Sequence, residues 1–223
     1  MPITFHMLEA GAKAGPELRQ RILDALEVAA AKAEALLPPA NIDAVILENP
    51  PAVIPRLGVG GYCSGSNALT VTYDPENAHF LSSIESEIGS TFCHELHHCL
   101  RPNYGYQLGE RFVAEGLACT FEEECGFRTP FYAIECSSEA LLNYAGRALL
   151  LLDRTDLNFN EWMFGTTYEK NTGEFPYQCG YSLGYALVKA WLAHAGTTAA
   201  KAYDVEAKTV LDAWRSGAIN PAM

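Results

Sequence analysis

The sequence predicts an α+β fold, with a strand-bearing N-terminal part followed by a wholly helical C-terminal part. Three observations predict it. Residues 43–48, DAVILE, and 68–73, ALTVTY, are short strand-like runs. A Pro/Gly-rich stretch from Pro50 to Gly65 separates them. From about Asn77 onward the apolar residues recur at helical spacing.

Residues 16–37 read as the first amphipathic helix. Pro16 suits its first position, Leu18, Ile22, Leu26, Ala29, Ala33 and Leu36 share a face, and Pro38-Pro39 ends it. The strand at 68–73 finds its partner in Arg56–Tyr62. Gly58, Gly60 and Gly61 in that partner predict an irregular hairpin with accessible backbone at a sheet edge. Helices are expected near 78–101, 108–124, 137–152, 178–195 and 199–215. Pro102-Asn103, Gly126 to Pro130 and Thr172-Gly173 punctuate them. The expected organisation is one domain over 1–223, with the strand-bearing part at 1–101 and the helical part at 102–223.

Composition narrows the function. The 223 residues are 49% apolar, enough to bury a core. The net charge is −12 and there is no basic run, so neither nucleic acid nor an anionic membrane is an expected partner. No apolar stretch is long enough to span a bilayer, and the N-terminus lacks the basic head and apolar run of a secretion signal. Seven scattered cysteines are odd in number and form no disulfide framework. They predict free thiols in a reducing cytoplasm.

The chemistry concentrates in FCHELHHCLR, residues 92–101. Ile84, Ile88, Phe92, Leu96 and Leu100 are four apart and form one apolar stripe. His94 and His98 are also four apart, on the opposite, non-core face. Two imidazoles one turn apart can hold one metal ion while the stripe anchors the helix. Glu95 can reach a water on that ion. The pattern predicts one Zn2+, with Glu95 as general base and acid. His97 points away from the pair and reads as a group that supports the site or lies at the surface, and Cys93 and Cys99 read as small packing residues.

A catalytic zinc needs a third protein ligand. The next helix offers RFVAEGLACTFEEE, with Val113, Leu117 and Phe121 as its buried stripe. Glu115 stands opposite that stripe among apolar neighbours, where an unpaired carboxylate would be costly. It is the expected third ligand, with Glu122 and Cys119 as alternatives. Glu122 could instead orient a histidine through its second nitrogen. Gly116 permits a close helix–helix approach.

Together these residues resemble the gluzincin metallopeptidases, of which thermolysin is the best-known type. The second gluzincin motif, NExxSD, corresponds here to Ala114-Glu115-Gly116-Leu117-Ala118-Cys119. Its asparagine, serine and histidine-orienting aspartate are missing. The chain more closely resembles a bacterial family of predicted zinc-dependent proteases. That family shares an HExxH helix, a VAEGLA-like segment and a GYxLGY-like segment, the last seen here as Gly180-Tyr181-Ser182-Leu183-Gly184-Tyr185. The likeness spans roughly residues 58–195.

The resemblance implies a zincin-like core, with a small mixed β-sheet packed on the active-site helix. It implies an edge strand, within Gly58–Tyr73, that binds an extended peptide by strand addition. It also implies a donor for the oxyanion: Tyr181 first, then Tyr185, then His194. The expected activity is zinc-dependent peptide hydrolysis on a peptide or protein substrate. The competing expectations are a non-catalytic zinc module that binds peptide or protein, and a zinc hydrolase of a non-peptide amide.

Overall fold

The computed structural model describes residues 3–102, 105–165 and 175–221. Asn103 and the Thr172-Gly173 loop lie outside the described residues. The fold is mixed α+β, and the chain divides into two compact units. The first comprises residues 1–102 and 121–128, the second 103–120 and 129–223.

The first unit opens with β1 (Ile3–Leu8), α1 (Pro16–Glu34) and β2 (Ile42–Glu48). A 3-10 turn (Pro50–Ala52), β3 (Val59–Gly65) and β4 (Ala68–Tyr73) follow, then α2 (Ala78–Ser82) and α3 (Ile84–Leu100). The strands form a four-stranded sheet in the order β1-β2-β4-β3. β1 pairs with β2 and β2 with β4 in parallel, while β3 joins β4 antiparallel at the edge. A parallel neighbour requires a crossover, which α1 provides between β1 and β2. α3 packs against β3 and β4, and α1 lies against α3. Ile22, Leu26, Ala29 and Ala33 of α1 are buried there, as the periodicity requires, whereas Leu36 lies past the helix end and is exposed.

Several elements of this unit differ from the sequence reading. The helix expected at 78–101 breaks at Ser83, which leaves the helical region at φ −138°. Asn77 caps the short α2 through Phe80 N, and Phe80 stacks on Tyr73 beneath the sheet. The strand expected at 56–62 runs instead over Val59–Gly65, because the backbone at Leu57 and Gly58 turns back onto Ile54 O. Its pairing then continues past Tyr62 to a bulge between Cys63 and Gly65. β1 was not expected, although ITFHML alternates half-buried and exposed residues along its length.

The second unit carries α4 (Leu108–Glu124) as far as Thr120, where that helix passes to the first unit. It continues with α5 (Phe131–Ile134), α6 (Ser138–Leu149), α7 (Phe159–Phe164), α8 (Cys179–Ala195) and α9 (Ala207–Arg215). α8 is packed by α5, α6, α7 and α9. A Cβ at Gly116 would lie 2.1 Å from Gly184 O, and one at Gly184 would lie 2.4 Å from Phe112 O. The two glycines therefore let α4 and α8 cross backbone to backbone. The helix expected over 199–215 forms only at 207–215. Residues 199–204 are turns, begun where Ala202 N returns to Thr198 O, and Glu206 is extended at ψ 130°.

Candidate metal centre

α3 is held by its apolar stripe. Ile84, Ile88 and Phe92 are fully buried and Leu96 nearly so. Burying side chains of this kind contributes roughly 1.5–3 kcal/mol each, so the helix has little freedom to turn. Glu85 and Glu87 occupy its first turn, where the helix dipole favours negative charge. The last turn carries the histidines.

His94 and His98 are 6% and 7% exposed, so the face opposite the stripe is buried rather than wet. Their rings meet edge to face, with centroids 4.7 Å apart. The Nε2 atoms converge to 3.1 Å. Two nitrogens on one tetrahedral zinc, each about 2.0–2.1 Å from it, would be about 3.3–3.4 Å apart. At that spacing the two nitrogens share a hydrogen bond when His98 carries its proton on Nε2, and once that proton is lost a shared cation can satisfy both lone pairs.

Ligand-capable atoms of His94, His98 and Glu115 all lie within 4.8 Å of one another. Glu115 is 3% exposed. A buried carboxylate is costly unless a cation or hydrogen bonds compensate it. Two neutral imidazoles and one carboxylate form a donor set that suits zinc and leaves a coordination position open. The residues present thus fit the ion that their pattern predicts.

A second group, His94, Cys119 and Glu122, also lies within 4.8 Å and shares His94. Within it, Glu122 is held by hydrogen bonds. Glu122 Oε1 is 2.7 Å from His94 Nδ1, and the Ser90 hydroxyl donates to Glu122 Oε2. A carboxylate accepts, so the ring proton sits on Nδ1 and Nε2 keeps its lone pair toward His98. Glu122 is only 1% exposed and meets the histidine as an orienting partner does.

Glu95 is 8% exposed and lies across the edge strand. A Cβ at Gly61 of β3 would stand 2.5 Å from Glu95 Cγ and 2.6 Å from its Oε1. The glycine at that position makes room for the carboxylate. His97 points elsewhere, its ring 5.3 Å from that of Phe121, and it is fully buried rather than at the surface. Cys93 and Cys99 are buried, as packing residues should be. The Cys99 thiol also hydrogen-bonds Cys63 on β3, which pulls Cys63 down to about 7. The same bond, together with burial, pushes Cys99 up.

The oxyanion candidates lie on α8. Tyr181 is half-buried, its ring 5.1 Å from Tyr132 and 5.5 Å from Phe164. Tyr185 is half-buried with Lys189 over its ring, and His194 is exposed in the last turn. Ser90 and the contact of Gly61 with Glu95 are not expected from the sequence, though each leaves a signal in it. Ser90 lies one turn before His94 on the same face, and a glycine inside a strand marks a close approach.

No curated protein and no solved structure matches the chain. A family model does match, over residues 24–212, beyond both ends of the likeness read from the motifs. The chain therefore belongs to the family described as "Predicted Zn-dependent protease (DUF2268)".

Proposed function

We propose that the chain is a gluzincin-like zinc metallopeptidase, with His94, His98 and Glu115 as ligands of one zinc ion and Glu95 as general base and acid. The convergence of the two Nε2 atoms at 3.1 Å, with His94 Nδ1 already committed to Glu122, carries this reading. When bound, the ion acts as a Lewis acid and lowers the pKa of a water to roughly 7. Glu95 takes a proton from the attacking water and delivers it to the leaving amine. Gly61 leaves the space that its carboxylate occupies. Glu122 and Ser90 fix the ring of His94. Tyr181 donates its phenol to the developing oxyanion, its ring steadied by Tyr132 and Phe164.

The substrate is a peptide or protein, and neither nucleic acid nor membrane is a partner. β3 is an edge strand, with one side paired to β4. An extended peptide joins its other side by strand addition. This reading takes the fold as zincin-like and residues 1–223 as one catalytic domain. Seven free thiols suit a reducing compartment, so we assign the enzyme to the bacterial cytoplasm. Among the described residues no helix is long and apolar enough to cross a membrane.

Glu95→Gln tests the mechanism. The variant should hold zinc like the parent while peptide hydrolysis falls about 10²–10⁴-fold. Hydrolysis at a comparable rate would remove Glu95 from the chemistry. A parent protein that binds zinc and peptide but never cleaves would be a binding module instead.

A further inference from the structure

Beside Glu95 and His98, β3 and the end of α3 meet at two thiols. Cys99 Sγ donates to Cys63 Sγ at 3.2 Å, and both cysteines are free. Cys63 is half-exposed on the edge strand, whereas Cys99 is buried directly after His98. A disulfide bond is about 2.0 Å long, so the sulfurs need to approach by only about 1 Å. The bulge between Cys63 and Gly65 interrupts the ladder beside the first thiol.

We propose that Cys63 and Cys99 form a reversible disulfide, tying β3 to the last turn of α3, when the protein meets a peroxide. The Cys63 sulfur, as thiolate, attacks one peroxide oxygen. The O–O bond breaks, Cys63 becomes a sulfenic acid, and the other oxygen leaves as water after taking up a proton. The Cys99 sulfur then attacks the Cys63 sulfur. The S–O bond breaks, and the departing hydroxide takes the Cys99 proton to form a second water. Two thiols are oxidised and one peroxide is reduced to two waters. A dithiol reductant reverses the step through a mixed disulfide.

The arrangement of one reachable thiol and one protected partner suits this order of events. Cys93 and Cys125 also neighbour each other, but both are buried and should stay reduced. The crosslink would join two segments that adjoin the proposed active site. Gly61, two residues before Cys63, lies against Glu95, and Cys99 follows His98. The inference goes beyond the zinc reading and does not depend on it.

The test treats the full chain with hydrogen peroxide, then unfolds, alkylates and digests it without reductant for peptide mass mapping. The expected product is a Cys63–Cys99 crosslinked peptide that dithiothreitol releases. The thiol count should fall by two from the seven free cysteines. In Cys63→Ser, Cys99 should remain a thiol. The proposal is overturned if Cys63 proceeds to sulfinic or sulfonic acid while Cys99 stays free. It is equally overturned if no cysteine changes, or if a Cys93–Cys125 crosslink forms in its place.

Discussion

Glu122 Oε1 stands 2.7 Å from His94 Nδ1, on the same helix as Glu115 and seven residues beyond it. Seven residues are nearly two turns, so both carboxylates project from one side of α4. A single helix can therefore supply both the third ligand and the group that orients a histidine. The aspartate that gluzincins carry four residues after the ligand glutamate is Cys119 here. Glu122 makes the histidine contact in its place. Glu122→Ala should weaken zinc binding about 10–100-fold. Glu122→Gln, whose amide oxygen can still accept from Nδ1, should lose less, as chelator competition would measure.

The choice between the two donor groups predicts opposite outcomes at neighbouring positions. Glu115→Ala should abolish stoichiometric zinc, whereas Cys119→Ser should retain it. Zinc content after dialysis reads this directly. In the parent, saturating zinc should also raise Tm, by about 2.7 kcal/mol of added stability at one hundred times Kd.

Gly61→Ala places a methyl group where Glu95 now lies. Overpacking of this kind costs roughly 1–3 kcal/mol when the neighbour cannot yield. Displacing the base should lower kcat strongly while zinc content stays at the parent level. Gly65 faces open space, so Gly65→Ala, despite its φ of +156°, should have the smaller effect on kcat.

Tyr181→Phe removes a hydroxyl but keeps the ring beside Tyr132 and Phe164. Loss of an oxyanion donor costs about 10²–10³ in kcat. The expected result is that loss, with KM and thermal stability close to the parent. Unchanged kcat would make Tyr181 a packing residue.

Much of this centre was legible because helices write their faces into sequence. Spacing of four put His94 and His98 on one side of α3 and the Ile84–Leu96 stripe on the other. α4 could be read from Leu108 to Glu124 for the same reason. What resisted reading depends on contacts distant in sequence. The burial of His97 follows from Phe121, and the room for Glu95 follows from Gly61. The break at Ser83 follows from Phe80 seating against Tyr73, a contact that periodicity does not encode. The short α5 and α7 hold four and six residues, too few for a helical repeat to show.

The most direct test is anomalous diffraction at the zinc edge from zinc-loaded crystals. The account predicts one peak about 2.0–2.2 Å from His94 Nε2, His98 Nε2 and a Glu115 carboxylate oxygen. A peak on the Nδ1 side of His94, bound by Cys119 and Glu122, or no peak at either place, would contradict it.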